Sequence, residues 1–222
     1  MQLVTESYLT QQSKLPISGR HIVAQYDDQF VVVYQAYRPE IGDFAAQNGY
    51  FGGEFRLNRM SWIKPNFTWM MYRSRWGTKI GQEVILAIWL KRFAFDEMLS
   101  TAVHSSFVPE VYSSKIEWKE KINSSSVRLQ WDPDHHPSGA KLERRAIQIG
   151  IRGKILESYA KEWIVGIEDI SKFVRLQYQN LQKTHDLSSL IVPRERIYPV
   201  NSIGLAQKLR LSENSEIKDF TE

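Results

Sequence analysis

Between Glu54 and Glu83 the chain carries Arg56, Arg59, Lys64, Arg73, Arg75 and Lys79, and no acid. Trp62, Trp69 and Trp76 are interleaved with these cations, and Trp89 follows shortly after. Guanidinium groups beside indole faces suit phosphates and flat rings, because arginine forks two hydrogen bonds to an oxyanion and stacks on π-systems. The plainer alternative places the tryptophans in the core with arginine stems lying across them. It accounts less well for the missing acids. The stretch predicts an anionic, nucleotide-bearing partner and names no reaction.

Two other groups of residues could carry chemistry. Asp132, Asp134, His135 and His136 crowd into QWDPDHHPSG. Two carboxylates and two imidazoles can bind a divalent metal or serve as acid and base. Asp-Pro and His-Pro also simply build turns, and that explanation is sufficient here, so no metal is expected. The other group lies where predicted strands run into turns: Gln35, Tyr37 and Arg38 on the first, and Arg144, Arg145 and Gln148 on a later one. Such residues either converge on a phosphate-bearing ligand or stand at a sheet edge facing water. His21, His104 and His185 stand alone and read as ordinary surface or core residues.

The elements that must position these groups follow from local pattern. FVVVYQAYR is a strand rich in β-branched and aromatic residues. Pro39 opens a short helix that Gly49 ends. Asn66 or Thr68 caps another through Trp76, which Gly77 ends, and Trp69, Tyr72, Arg73 and Trp76 then share one helical face. Glu83–Lys91 reads as a buried strand, and Asp96–Val103 as a short helix. VPEVY and KIEWKEKI suggest strands. SVRLQW is a strand running into a DPDHHPSG loop. In RRAIQIGIR, Ile147, Ile149 and Ile151 alternate against Arg144, Ala146, Gln148, Gly150 and Arg152. Lys154–Trp163 is a helix, IVGIEDI a strand, and Ser171 caps the longest helix.

These elements predict an α+β fold: one domain over 21–200 with a mixed, largely antiparallel sheet and short surrounding helices. A polar arm (1–20), loosely packed apart from Tyr8 and Leu9, precedes it. An extension with an acidic tail (201–222) follows. The 222 residues are ordinary in composition for a core-forming protein, at 42% hydrophobic and 24% charged. The absence of cysteine removes disulfides and thiolate chemistry and fits a reducing cytoplasm. No apolar run is long enough to span a membrane, so a cytoplasmic location and no membrane partner are expected. The net charge is +4, although Glu213, Glu216, Asp219 and Glu222 are concentrated at the end. The rest is more basic, which makes nucleic acids and phosphorylated small molecules reasonable partners. Walker-type phosphate loops, Gly-x-Gly-x-x-Gly, His-Glu-x-x-His and Gly-x-Ser-x-Gly are all absent.

VYQAYRPEIGDFAAQNG, WIKPNFTWMMYRSRWG, QWDPDHHPSG and RRAIQIGIRG occur in the order seen in domain-of-unknown-function family 4291 of bacteria and fungi. The chain resembles that family over about Ile22 to Val174. The family brings no settled activity. A weaker, fold-level analogy is to ADP-ribosyltransferases. It implies that Arg38, the helix Pro39–Asn48, Tyr72 with Arg73, and Gln148 occupy that fold's working positions. The chain departs from the pattern, since no histidine begins the first strand and Gln148 stands for the usual glutamate.

The analogy leads to an NAD- or nucleotide-dependent transferase acting on a nucleic acid or nucleotide, with NAD as the cofactor. Arg38, Arg73 and Arg145 would hold phosphates, Trp69 and Tyr72 would stack a ring, and Gln148 would orient a ribose. Gln35, Tyr37 and His135 would contact the ligand. One alternative is a non-enzymatic RNA- or DNA-binding module using the same groups. Another is a metal-dependent hydrolase built on Asp132, Asp134, His135 and His136.

Overall fold

A computed structural model describes residues 2–184, 186–200 and 202–213. In chain order the elements begin with β1 (Thr5–Ser7), α1 (Tyr8–Gln12), β2 (Gly19–Arg20), β3 (Val23–Ala24), β4 (Phe30–Tyr37) and α2 (Pro39–Asn48). Next come β5 (Ser61–Ile63), α3 (Phe67–Ser74), β6 (Val84–Lys91), α4 (Arg92–Thr101), β7 (Val103–His104) and α5 (Lys115–Ser124). The hairpin β8 (Val127–His135) and β9 (Lys141–Ile151) leads to α6 (Gly153–Ser158), which runs into a π turn. β10 (Ile164–Asp169), α7 (Ser171–Thr184), β11 (Ile191–Pro193), β12 (Arg196–Ile197) and α8 (Ile203–Leu209) complete the fold.

The class is α+β, with the strands divided between two main sheets. In the first, β6 lies between β4 and β10, all antiparallel. Both faces of β6 are covered, which is why its sequence is apolar without alternation. Val31, Val33, Leu86 and Ile88 pack on one side with Leu129, Ile147 and Ile149. Val32, Tyr34, Ile85, Ala87 and Trp89 pack on the other with Phe67, Met70, Met71, Val174 and Leu181. The second sheet runs β2-β9-β8-β7, with β5 also on β9. Its β2–β9 and β7–β8 pairs are parallel and its β8–β9 and β5–β9 pairs antiparallel. The isolated bridge Tyr34–Lys64 joins the two sheets.

Four local expectations change. KIEWKEKI is helical in α5: Ser114 Oγ accepts from Glu117 N at 3.1 Å, the Glu117 carboxylate accepts from Ser113 N, and Lys121 pairs with Glu117 at 2.6 Å. Helix capping outweighs a weak strand pattern there. VPEVY folds as a turn, with Val111 N and Tyr112 N both donating to Val108 O. α4 starts at Arg92, straight after β6, and buries Ala94 and Phe95 beside Met98 and Leu99. Finally, β8 continues through Asp132–His135 with an irregular register, leaving only a short turn that His136 N closes on Ala140 O.

The N-terminal arm is part of the fold. β1 pairs with β11, Tyr8 is buried and Leu9 is exposed. α8 buries Ala206 and Leu209, so packing reaches beyond 200. His185, Glu216, Asp219 and Glu222 lie outside the described residues. No helix among the described residues is long and apolar enough to cross a membrane.

Trp62 lies against the outer face of the second sheet, opposite Gly150 of β9. A β-carbon at Gly150 would meet Met60 Sδ at 2.8 Å and the Trp62 ring at 3.0 Å. Gly150→Ala should therefore destabilise by about 1–3 kcal/mol through overpacking. A urea midpoint unchanged from that of the parent would contradict this.

Candidate functional site

α3 is held at its start by Asn66, whose Oδ1 accepts from Trp69 N at 2.7 Å. It ends in an unusual way. Arg75, Trp76 and Gly77 all adopt positive φ, at 51°, 56° and 74°. Left-handed backbone is natural for glycine and strained for a bulky residue. The run turns Trp76 out of the helical stripe predicted with Trp69, Tyr72 and Arg73. Both indoles are buried, at 5% and 6% exposure, so they serve as core and not as open stacking platforms. Trp76 stacks on Tyr178 of α7 and donates from Nε1 to Pro137 O. Tyr72 is 46% exposed, and one face of its ring lies on His135, with centroids 3.5 Å apart and planes at 8°.

A groove of about 890 Å³ opens between the end of α3, the β8–β9 turn and α7. Arg73, Arg75 and Lys79 line it with Tyr72, Trp76 and Tyr178, and among the described residues no carboxylate does. Beneath it lies a buried polar centre. Thr68, which also lines the groove, donates to Asp134 Oδ1 at 3.1 Å. Arg144 grips Asp134 Oδ2 through Nε at 2.8 Å and Nη2 at 2.7 Å. The same guanidinium donates to Pro16 O and Gln12 Oε1, tying the N-terminal arm to the site. Glu195 accepts from Phe67 N at 2.8 Å, and burial holds its carboxyl well above the usual range.

The outer face of the second sheet carries a neighbouring polar set. Gln130 Nε2 and Gln148 Nε2 donate to the two oxygens of Asp132, at 2.8 and 2.7 Å. Lys64 lies over Trp69, with Nζ 5.1 Å from the ring centroid, and is 6% exposed. Burial above all, and then the Arg73 charge, push its amine down to about 7 against a smaller opposing pull from Asp132. His135 is buried, and burial lowers its pKa against a smaller opposing pull from Asp134.

A protein-family model matches residues 21–198. The chain belongs to the family of unknown function DUF4291. No curated protein matches it in sequence.

In this DUF4291 domain the predicted site residues fall into separate places. Tyr72 and Arg73 line the groove, with His135 against Tyr72 and Trp69 beneath Lys64. Gln148 is engaged with Asp132. Gln35 is buried, donating to Tyr37 Oη, Ser61 Oγ and Trp62 O and accepting from Tyr159 Oη. Burial raises the Tyr37 hydroxyl to about 12. Arg38 pairs with Glu40 and Glu54 and lines a different cavity, of about 360 Å³, with Tyr37, Arg56 and Arg59. Arg145 Nη2 donates to Trp131 O, and its backbone pairs with Arg20. Arg38, Arg73 and Gln148 thus do not surround a single cavity.

The carboxylates of the Asp132–His136 segment are already partnered, and His136 hydrogen-bonds Ser138. Among the described residues no three His, Asp or Glu side chains are grouped to hold a metal. Sequence reasoning missed Lys64 as a special group, the Asp134–Arg144 pair and the contribution of α7. Lys64 did carry a signal: it sits in Trp-Ile-Lys-Pro, inside the acid-free stretch, and so has no local partner.

Proposed function

We propose that the groove beside α3 binds a nucleotide unit, free or within a nucleic-acid strand. Phosphate oxygens would lie against Arg73, Arg75 and Lys79, and a base on the open side of Tyr72. The observation that carries this reading is the lining itself: three cations and three aromatic rings, with no carboxylate among the described residues. Arginine at two of the three cationic positions adds planar, bidentate recognition that lysine cannot supply.

Thermal shift against nucleotides, NAD, ADP-ribose and short oligonucleotides tests the proposal. A ligand at a hundred times its dissociation constant should stabilise by about 2.7 kcal/mol. Arg73→Lys, which keeps charge but loses the fork, should weaken a bound nucleotide by roughly tenfold, equivalent to about 1.4 kcal/mol. A strand held only through its backbone would leave Arg73→Lys nearly silent, and Arg73→Ala would reduce the salt slope. No response to any of these ligands at millimolar concentration, with Arg73→Ala affecting stability alone, would remove the proposal.

A second reading is an NAD- or nucleotide-dependent transferase. The observation favouring it is that Gln130 and Gln148 hold Asp132 while Lys64 feels both Asp132 and Arg73, which supplies polar groups beyond those binding requires. Release of nicotinamide from NAD in the presence of RNA or nucleotide acceptors would distinguish it from binding alone.

A further inference from the structure

Lys64 stands at the seam between the two sheets. Ile63 before it pairs with Ile149, its own backbone exchanges hydrogen bonds with Tyr34 at 2.6 and 3.2 Å, and Pro65 follows. The main chain there is held from both sides. The side chain is almost wholly buried, and its Nζ makes one weak hydrogen bond, to Trp62 O at 3.5 Å. No carboxylate among the described residues lies within ion-pair distance of it. The faces it meets are the Trp69 ring and the field of Arg73, with Asp132 as the carboxylate it senses.

Lysines kept for structure normally extend the ammonium to water or to an acid. This one does neither. Burial holds its amine down to about 7, so it gives up its proton far more readily than an ordinary lysine. A rigid, dehydrated, neutral amine is the form that attacks carbonyl carbon.

We propose that Lys64 forms an imine with a phosphorylated aldehyde whose phosphate ester is held by Arg73. The nitrogen lone pair adds to the carbonyl carbon, and the two amine hydrogens leave with the carbonyl oxygen as water. The carbon–nitrogen double bond replaces the carbon–oxygen one without change of oxidation state. An aldehyde is favoured over a bulkier ketone because so little of Lys64 is accessible. A phosphate is favoured because Arg73 lines a groove that takes no carboxylate from the described residues. The aldehyde can come from a free sugar phosphate in its open form or from a base-free sugar in a DNA strand. The inference goes beyond the groove reading and shares only Arg73 with it.

The test uses the full chain with glyceraldehyde 3-phosphate, or with an oligonucleotide carrying one abasic site, followed by cyanoborohydride reduction and peptide mass spectrometry. The expected result is a saturable adduct on Lys64, at least tenfold above that on any other lysine at pH 7. It should fall about tenfold in Arg73→Ala and disappear in Lys64→Arg. Glycerol 3-phosphate, which has no carbonyl, should protect Lys64 in the unaltered protein, an arm that does not depend on any variant folding. Labelling by one of the two probes alone identifies the source and supports the proposal. No Lys64 adduct with either probe would overturn it, as would equal labelling by unphosphorylated glyceraldehyde. Lys64 labelling without nucleotide binding would remove the groove reading only, and nucleotide binding without Lys64 labelling would remove this one only.

Discussion

Asp134→Ala should lower the unfolding free energy by about 3–5 kcal/mol, the loss expected when one partner of a buried ion pair is removed. The two side chains are 1% and 3% exposed, so water cannot replace the missing carboxylate. Arg144 would keep only Pro16 O and Gln12 Oε1, neutral acceptors for a full charge. The backbone N–H of His135 would also lose its side-chain acceptor, whereas Thr68 Oγ1 would keep Asn66 Oδ1. Arg144→Ala should be comparably damaging, leaving Asp134 charged and buried. A paired replacement, Asp134→Leu with Arg144→Met, should recover much of the loss, because desolvating both charges opposes their attraction. Urea unfolding of the parent, Asp134→Leu, Arg144→Met and the pair gives the coupling energy directly. Single-variant losses below 1 kcal/mol, or strict additivity, would show that the pair is not the linchpin of this region.

Lys64→Met should act in the opposite direction and depend on pH. The fall from 10.5 to about 7 corresponds to roughly 5 kcal/mol disfavouring the folded ammonium. The cation–π contact with Trp69 opposes this by about 0.5–2 kcal/mol and does not win. Below pH 7 the lysine is protonated in both states and the penalty is fully present. Between pH 7 and 10.5 the unfolded chain holds a proton that the folded chain has released, so stability rises with pH. Above 10.5 the penalty is gone. Methionine fills much of the same volume without the charge. Lys64→Met should therefore be more stable than the parent by a few kcal/mol at pH 6, with the gain shrinking toward zero near pH 10. A constant difference across that range would mean that the amine is solvated in the folded protein.

The division between what the sequence revealed and what it hid has a physical basis. β4, β6 and β9 were legible because burial on one or both faces leaves a direct mark on residue order. α2, α3 and α7 were legible because proline, asparagine and serine announce helix starts. α5 was misread because its stability comes from reciprocal capping and an ion pair, while its apolar pattern is weak. The Asp-Pro-Asp-His-His segment looked like a loop because its polar residues have no apolar alternation. In the fold their partners come from Arg144, Thr68 and the amides of Gln130 and Gln148, and that pairing lets the strand continue. The groove was half legible. Its cations and its shortage of acids were visible in one stretch, whereas Tyr178 and Gln182 arrive on a helix about a hundred residues later. Trp69 and Trp76 carried the same local signal as Tyr72, and only packing tells core indoles from an exposed ring. Arg38 shows the same limit: the end of a strand predicts polarity, but not which cavity it borders.

The pairing of β1 with β11 sets the order in which the protein can be completed. The strand with the sequence Thr-Glu-Ser is made long before its partner Ile-Val-Pro, and the main strands of both sheets are made between them. The β4–β6 pair and the β8–β9 hairpin are available well before that, joined by far shorter loops. Glu195, which reaches the start of α3 while its backbone N–H is received by Gln11, arrives with the same late segment. During synthesis the floor of the groove is therefore unfinished until β11 and Glu195 emerge, and a nascent chain that already has both sheets still lacks the clasp that fixes α3.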